Sequence, residues 1–139
     1  MGLRGKRVAG VTLLELLVVI TLMMSLLGLV GGSAIKSVER AQAQAELISV
    51  YSLIKKTSVR AFASGGGASL RFLESGVDIY LGETLRAQKN FEHLQFQAQE
   101  LYFNRNGMPN SLQIEVTIRG FERSLELQQL FDNRDFNND

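Results

Sequence analysis

An α+β fold, with one long N-terminal helix packed on a small antiparallel β-sheet, follows from three observations. Positions 11–30 read VTLLELLVVITLMMSLLGLV, a run of twenty mostly apolar residues. A helical periodicity continues beyond that run and stops at Ser64-Gly65-Gly66-Gly67. After those glycines the apolar period changes from 3.6 to 2, interrupted by short polar turns. At 139 residues the chain has room for one domain, not two.

Residues 1–10 form a basic leader: Arg4, Lys6 and Arg7 are there, and no acid is. The apolar segment that follows, placed at 11–34, would span about 30 Å as a twenty-residue helix, the hydrocarbon thickness of a bilayer. Its polar residues up to Val30 are Thr12, Glu15, Thr21 and Ser25. The hydroxyls can return to helix carbonyls. A cationic leader stays on the cytoplasmic side, which places everything after Val30 beyond the membrane.

Glu15 is the residue that does not fit. A carboxylate at the centre of a membrane helix costs about 2.5–3.5 kcal/mol, and its position near the cytoplasmic end reduces that cost without removing it. The plainer account is an acid in the first helical turn, where the macrodipole favours negative charge. The functional account gives Glu15 a partner. Cutting the chain between Gly10 and Val11 creates a terminal cation four residues before Glu15, on its own helix or on a neighbouring subunit. In an apolar bundle an unpaired charge is expensive and a paired one is specific.

The run Gly10-Val11-Thr12-Leu13-Leu14-Glu15, after a short basic leader and before an apolar helix, resembles the class III signal of type IV pilins and type II secretion pseudopilins. The resemblance implies cleavage by a prepilin peptidase after Gly10, N-methylation of Val11, and a role for Glu15 in subunit assembly. Val11 departs from the Phe or Met usual in the family. An ordinary secretory signal peptide is the rival reading, with small residues at Gly32-Ser33-Ala34 for cleavage. Its apolar region is normally 7–15 residues long, shorter than this one, and here it would contain Glu15.

Gly28, Gly31 and Gly32 each cost a helix interior about 1 kcal/mol relative to Ala. They suit either close helix packing or local unwinding on assembly. From 35 to 63 an amphipathic helix is expected, with Ile35, Val38, Leu47, Tyr51, Ile54 and Phe62 on one broad face. Residues 68–128 read as β-rich. Ser69–Leu73 and Val77–Leu81 flank Glu74-Ser75-Gly76 as a hairpin, and further strands are expected at 93–98, 100–103, 112–119 and 124–128. Asn106-Gly107 before Pro109 marks the sharpest turn, and Gly120 marks another.

The stretch Leu101-Tyr102-Phe103-Asn104-Arg105-Asn106-Gly107-Met108-Pro109, with Ile114–Ile118 and Arg123–Leu127 after it, is similar to the GspH/FimT-like minor pilins. That resemblance implies a pilin-like fold with a periplasmic domain over 35–139, anchored by a single pass through the inner membrane. The implied partners are the prepilin peptidase, major and other minor pilins or pseudopilins, and an inner-membrane assembly platform. The implied function is a structural subunit of a pilus or secretion pseudopilus, in initiation or at the tip. A tip adhesin or DNA-uptake receptor would share the same processing.

Composition bears on the alternatives. With no cysteine there is no disulfide, thiolate metal site or cysteine nucleophile, and one histidine (His93) builds no histidine-ligated metal site. No acid–base or nucleophile constellation assembles, so neither enzyme activity nor a cofactor is expected. Three of the 15 Lys and Arg lie in the leader, which leaves 12 against 14 acids from Val11 onward. Within 121–139, Arg123 and Arg134 face Glu122, Glu126, Asp132, Asp135 and Asp139, an unfavourable balance for phosphate binding. Arg105 and Arg119 are scattered cations, so nucleic acid is not an expected partner. Asp132, Asp135 and Asp139 are weak calcium candidates in an acidic tail, 129–139, that lacks the glycine and closing glutamate of a calcium loop.

Overall fold

The computed structural model describes the backbone of residues 2–132 and the side chains of residues 11–132. Helix α1, Gly2–Ser64, is the longest element. It contributes to two units, one up to Arg40 and one from Ala41 onward. In the first unit α1 stands by itself, and its apolar side chains are exposed, from Val19 at 45% to Leu29 at 78%. The helix passes Gly28, Gly31 and Gly32 without a break. A Cβ added at any of the three would meet nothing within 4 Å.

In the second unit, the α1 segment from Ala41 is a packing surface. Ala43, Val50, Ile54, Thr57, Ser58 and Ala61 are buried, at the three- and four-residue spacing of one helical face. Leu47 and Tyr51 pack against the same core. Phe62 does not: it is 65% exposed, as Ile35 and Val38 are exposed in the first unit. The expected broad face was too broad: within the second unit only a narrow stripe of the helix is buried. Gly65 closes the helix by donating its N–H to Ala61 O at 3.2 Å.

The antiparallel β layer is divided into two sheets. Strands β1 (Ala68–Leu73), β2 (Gly76–Leu81), β3 (Thr84–Asn90) and β5 (Gln99–Phe103) form one, in the order β3-β2-β1-β5. Strands β4 (Leu94–Phe96), β6 (Gln113–Ile118) and β7 (Phe121–Glu126) form the other, in the order β4-β6-β7. Gln99 ties them together by donating to Glu115 O at 2.7 Å and accepting from Glu115 N–H at 3.1 Å. Aromatic packing does the same. Phe72 of β1 lies 4.8 Å from Phe96 of β4, and Phe91 completes the cluster at 5.6 Å.

Three elements depart from the expected pattern. β3 (TLRAQKN) is exposed along its whole length, so its sequence has no apolar alternation to reveal it. β7 starts at Phe121 rather than 124, because a two-residue turn pairs Ile118 with Phe121. Both turn residues are left-handed, Arg119 at φ 53° and Gly120 at φ 81°, as a type I′ hairpin requires. The third is α2, Gln128–Asp132, at the start of the expected acidic tail. Phe131 is buried within it, and Lys55 Nζ donates to Leu130 O at 2.7 Å.

Polar clamps hold the helix to the strands. Both Glu46 carboxylate oxygens accept backbone N–H groups, from Glu92 and His93, at 2.9 Å each. Nearby, Lys89 Nζ bonds Ser49 Oγ. Ser58, fully buried, donates its hydroxyl to Gly107 O at 2.6 Å. Gly67 is a junction constrained both in conformation and in space. Its φ is +78°, and a Cβ there would sit 2.8 Å from the Tyr102 hydroxyl and 3.0 Å from Phe103 O. Gly67→Ala is expected to destabilise the body by about 1–3 kcal/mol, combining left-handed strain with this crowding. A lower urea midpoint at unchanged slope is the signature.

Candidate functional site

The candidate site is the first stretch of the described side chains, where α1 is apolar and bare. Between Val11 and Ile35 the only ionisable side chain is Glu15. Among the described residues α1 is the one helix long and apolar enough to cross a membrane, and none of its most apolar stretch is buried. Its hydroxyls are internally satisfied. Thr21 Oγ1 donates to Leu17 O at 2.7 Å, Ser25 Oγ to Thr21 O at 2.9 Å, and Ser33 Oγ to Val30 O at 2.8 Å. These i−3 and i−4 bonds remove the cost of a hydroxyl in an apolar setting.

Glu15 has no such recourse. A carboxylate is an acceptor only, and helix N–H groups this far in are already committed to carbonyls. Glu15 is exposed, with no hydrogen-bond or ion-pair partner among the described residues. Val11 lies one turn before it on the same face and is 56% exposed. Gly10 and Val11 both have helical backbone, so the junction between them lies inside α1. The side chains of the leader, Arg4, Lys6 and Arg7 included, lie outside the described residues.

The other singled-out residues do not converge. Asp132 is exposed at the end of α2, whereas Asp135 and Asp139 lie outside the described residues. Among the described residues no three His, Asp or Glu side chains gather as a metal group. Arg105 is exposed in the loop after β5, Arg119 in the β6–β7 turn, and Arg123 on β7. His93 is half-buried, with its backbone N–H held by Glu46.

The clearest surface ion pair joins neighbouring strands. Arg71 on β1 faces Glu100 on β5 and donates Nε–H to its carboxylate at 3.3 Å. The hydrogen bond and charge of Glu100 raise the Arg71 pKa above its usual range. Arg71 also lies over the Tyr80 ring, 4.5 Å from its centroid. Because the pair is exposed, it contributes strand register more than stability.

One polar site escaped the sequence reading. Arg60 of α1 and Arg86 of β3 line one cavity, although 26 positions separate them. Only the folded hairpin brings them together. Comparison of the chain with family models, with curated proteins and with solved structures finds no match.

Proposed function

We propose that the chain is a pilin-type structural subunit: a minor pilin or pseudopilin, cut between Gly10 and Val11 and assembled into a fibre through α1. One observation carries the reading. A bare apolar helix that satisfies the hydroxyls of Thr21, Ser25 and Ser33 internally retains a single carboxylate, Glu15, with no partner among the described residues. A free amine at Val11 is the cation that this carboxylate lacks, and cleavage after Gly10 supplies it. Neighbouring helices then bury the exposed apolar surface around the pair. Charge neutralisation in that apolar setting fixes the stagger between subunits, since a misplaced carboxylate would be desolvated without compensation.

On this reading the basic leader stays cytoplasmic, α1 holds the precursor in the inner membrane, and the body from Ala41 faces the periplasm. The peptidase, other pilins and an assembly platform are the partners. The test is processing. Co-expression with a prepilin peptidase is expected to shorten the chain by its first ten residues and add one methyl group to Val11, read by intact mass. Gly10→Ala is expected to leave at least about nine-tenths of the chain uncut, because the scissile position then carries a Cβ. Cleavage after Ala34 instead would show a secretory signal and end the pilin reading.

A further inference from the structure

Two surfaces of the body have no role in the function proposed above. One is a cavity of about 370 Å³ between α1 and the β2–β3 hairpin, lined by apolar Ala68, Ile79 and Leu81 and flanked by Arg60 and Arg86. Both arginines are exposed, and neither has an acidic partner among the described residues. The other is the outer face of the β4-β6-β7 sheet. The β6–β7 register sets Gln113 opposite Glu126, Glu115 opposite Ser124, and Thr117 opposite Glu122. Strand alternation puts these six on the face away from buried Ile114, Val116 and Leu125. Arg123, paired with Val116, belongs to the opposite face. The strand residues of this outer face therefore include Glu115, Glu122 and Glu126 and no cation, and Arg119 lies beyond them in the turn.

We propose that this acidic face of one copy docks on the Arg60–Arg86 cavity of the next. A glutamate suits the cavity in both halves. Its two methylenes can lie on the apolar lining, and its carboxylate matches the planar fork of a guanidinium. At about 370 Å³ the space has room for a glutamate side chain. Donor and acceptor are different surfaces on different sheets. The contact is therefore heterologous, and each copy keeps one of each for further copies. The inference deepens the fibre reading by naming a body-to-body contact, but it does not depend on the leader or on Glu15.

The absence of native cysteine makes the test clean. Full-length chains in detergent micelles, one carrying Thr84→Cys beside Arg86 and the other Ser124→Cys between the glutamates, are mixed and oxidised. A disulfide-linked heterodimer is expected at about ten times the yield given by Ser124→Cys with Ala98→Cys, the difference falling away in high salt. Arg60→Glu with Arg86→Glu on the acceptor is expected to return the yield to the control level. Glu122→Arg on the donor is expected to restore it, which also shows that the reversed acceptor is folded. Equal yields with Ala98→Cys, or a yield indifferent to the arginine reversals, overturns the proposal. These chains are uncut and have no free Val11 amine, so the proposed Glu15 pairing cannot form in them. A cross-link between them is a direct contact of the bodies, and one that appears only after cleavage by a prepilin peptidase would mean that the contact merely follows helix association.

Discussion

Glu15→Ala is expected to leave processing at Gly10–Val11 intact and to reduce recovery of the chain in sheared fibres by two orders of magnitude or more. The proposed pair is one carboxylate and one terminal amine among apolar helices. Replacing the carboxylate leaves the Val11 ammonium alone in that setting, and breaking a buried pair from one side costs about 3–5 kcal/mol. Each 1.4 kcal/mol is tenfold in association, so the loss is large on any assay. Glu15→Gln keeps the size and loses the charge, and is expected to behave like the alanine variant. The measurement is the ratio of fibre to membrane fractions by immunoblot, beside a major subunit. Incorporation at the normal level would remove the pairing role from Glu15 and point to a tip position, where no neighbouring amine is met.

Whether a residue could be read from the sequence depended on whether its role was local. The Ser64–Gly67 stop, the turn at Glu74-Ser75 and the Asn106–Pro109 turn are set by neighbours in sequence, and each appears in the fold where expected. Asn104 shows why the last was legible: its side chain accepts the N–H groups of Asn106 and Met108, a bond pattern built within four residues. β3 was illegible for the opposite reason. An edge strand exposed on both faces has no buried side to impose alternation, and Arg86 and Lys89 keep its free edge soluble. How the two sheets join was also hidden, because it rests on Gln99 reaching Glu115 and on Phe72 meeting Phe96. In the same way, the proposed site of Gly10, Val11 and Glu15 lies within six positions, whereas the Arg60–Arg86 cavity exists only once α1 and β3 are side by side.

Phe72→Ala is expected to destabilise the body by about 3–5 kcal/mol, while Phe62→Ala, ten positions earlier, is expected to change stability by less than about 0.5 kcal/mol. By sequence alone both are apolar residues on the core side of their element. Phe72 is 1% exposed and sits where the sheets meet, so truncation removes its transfer energy, opens a cavity and ends the 4.8 Å contact with Phe96. The Phe91–Phe96 contact does not reach β1, and the backbone bond from Phe96 N–H to Glu74 O at 2.8 Å ties β4 only to the β1–β2 turn. Phe62 points away from the strip of α1 that the strands cover, so its removal deletes little buried area. Urea unfolding of the full-length chain in detergent, followed by far-ultraviolet circular dichroism, compares the two midpoints. A domain of this size has a total stability of about 5–15 kcal/mol, so the Phe72 variant should melt far earlier and the Phe62 variant with the parent. Equal losses at the two positions would show that the helix is buried on the Phe62 side as well, and the narrow stripe from Ala43 to Ala61 would not be the face that holds the domain together.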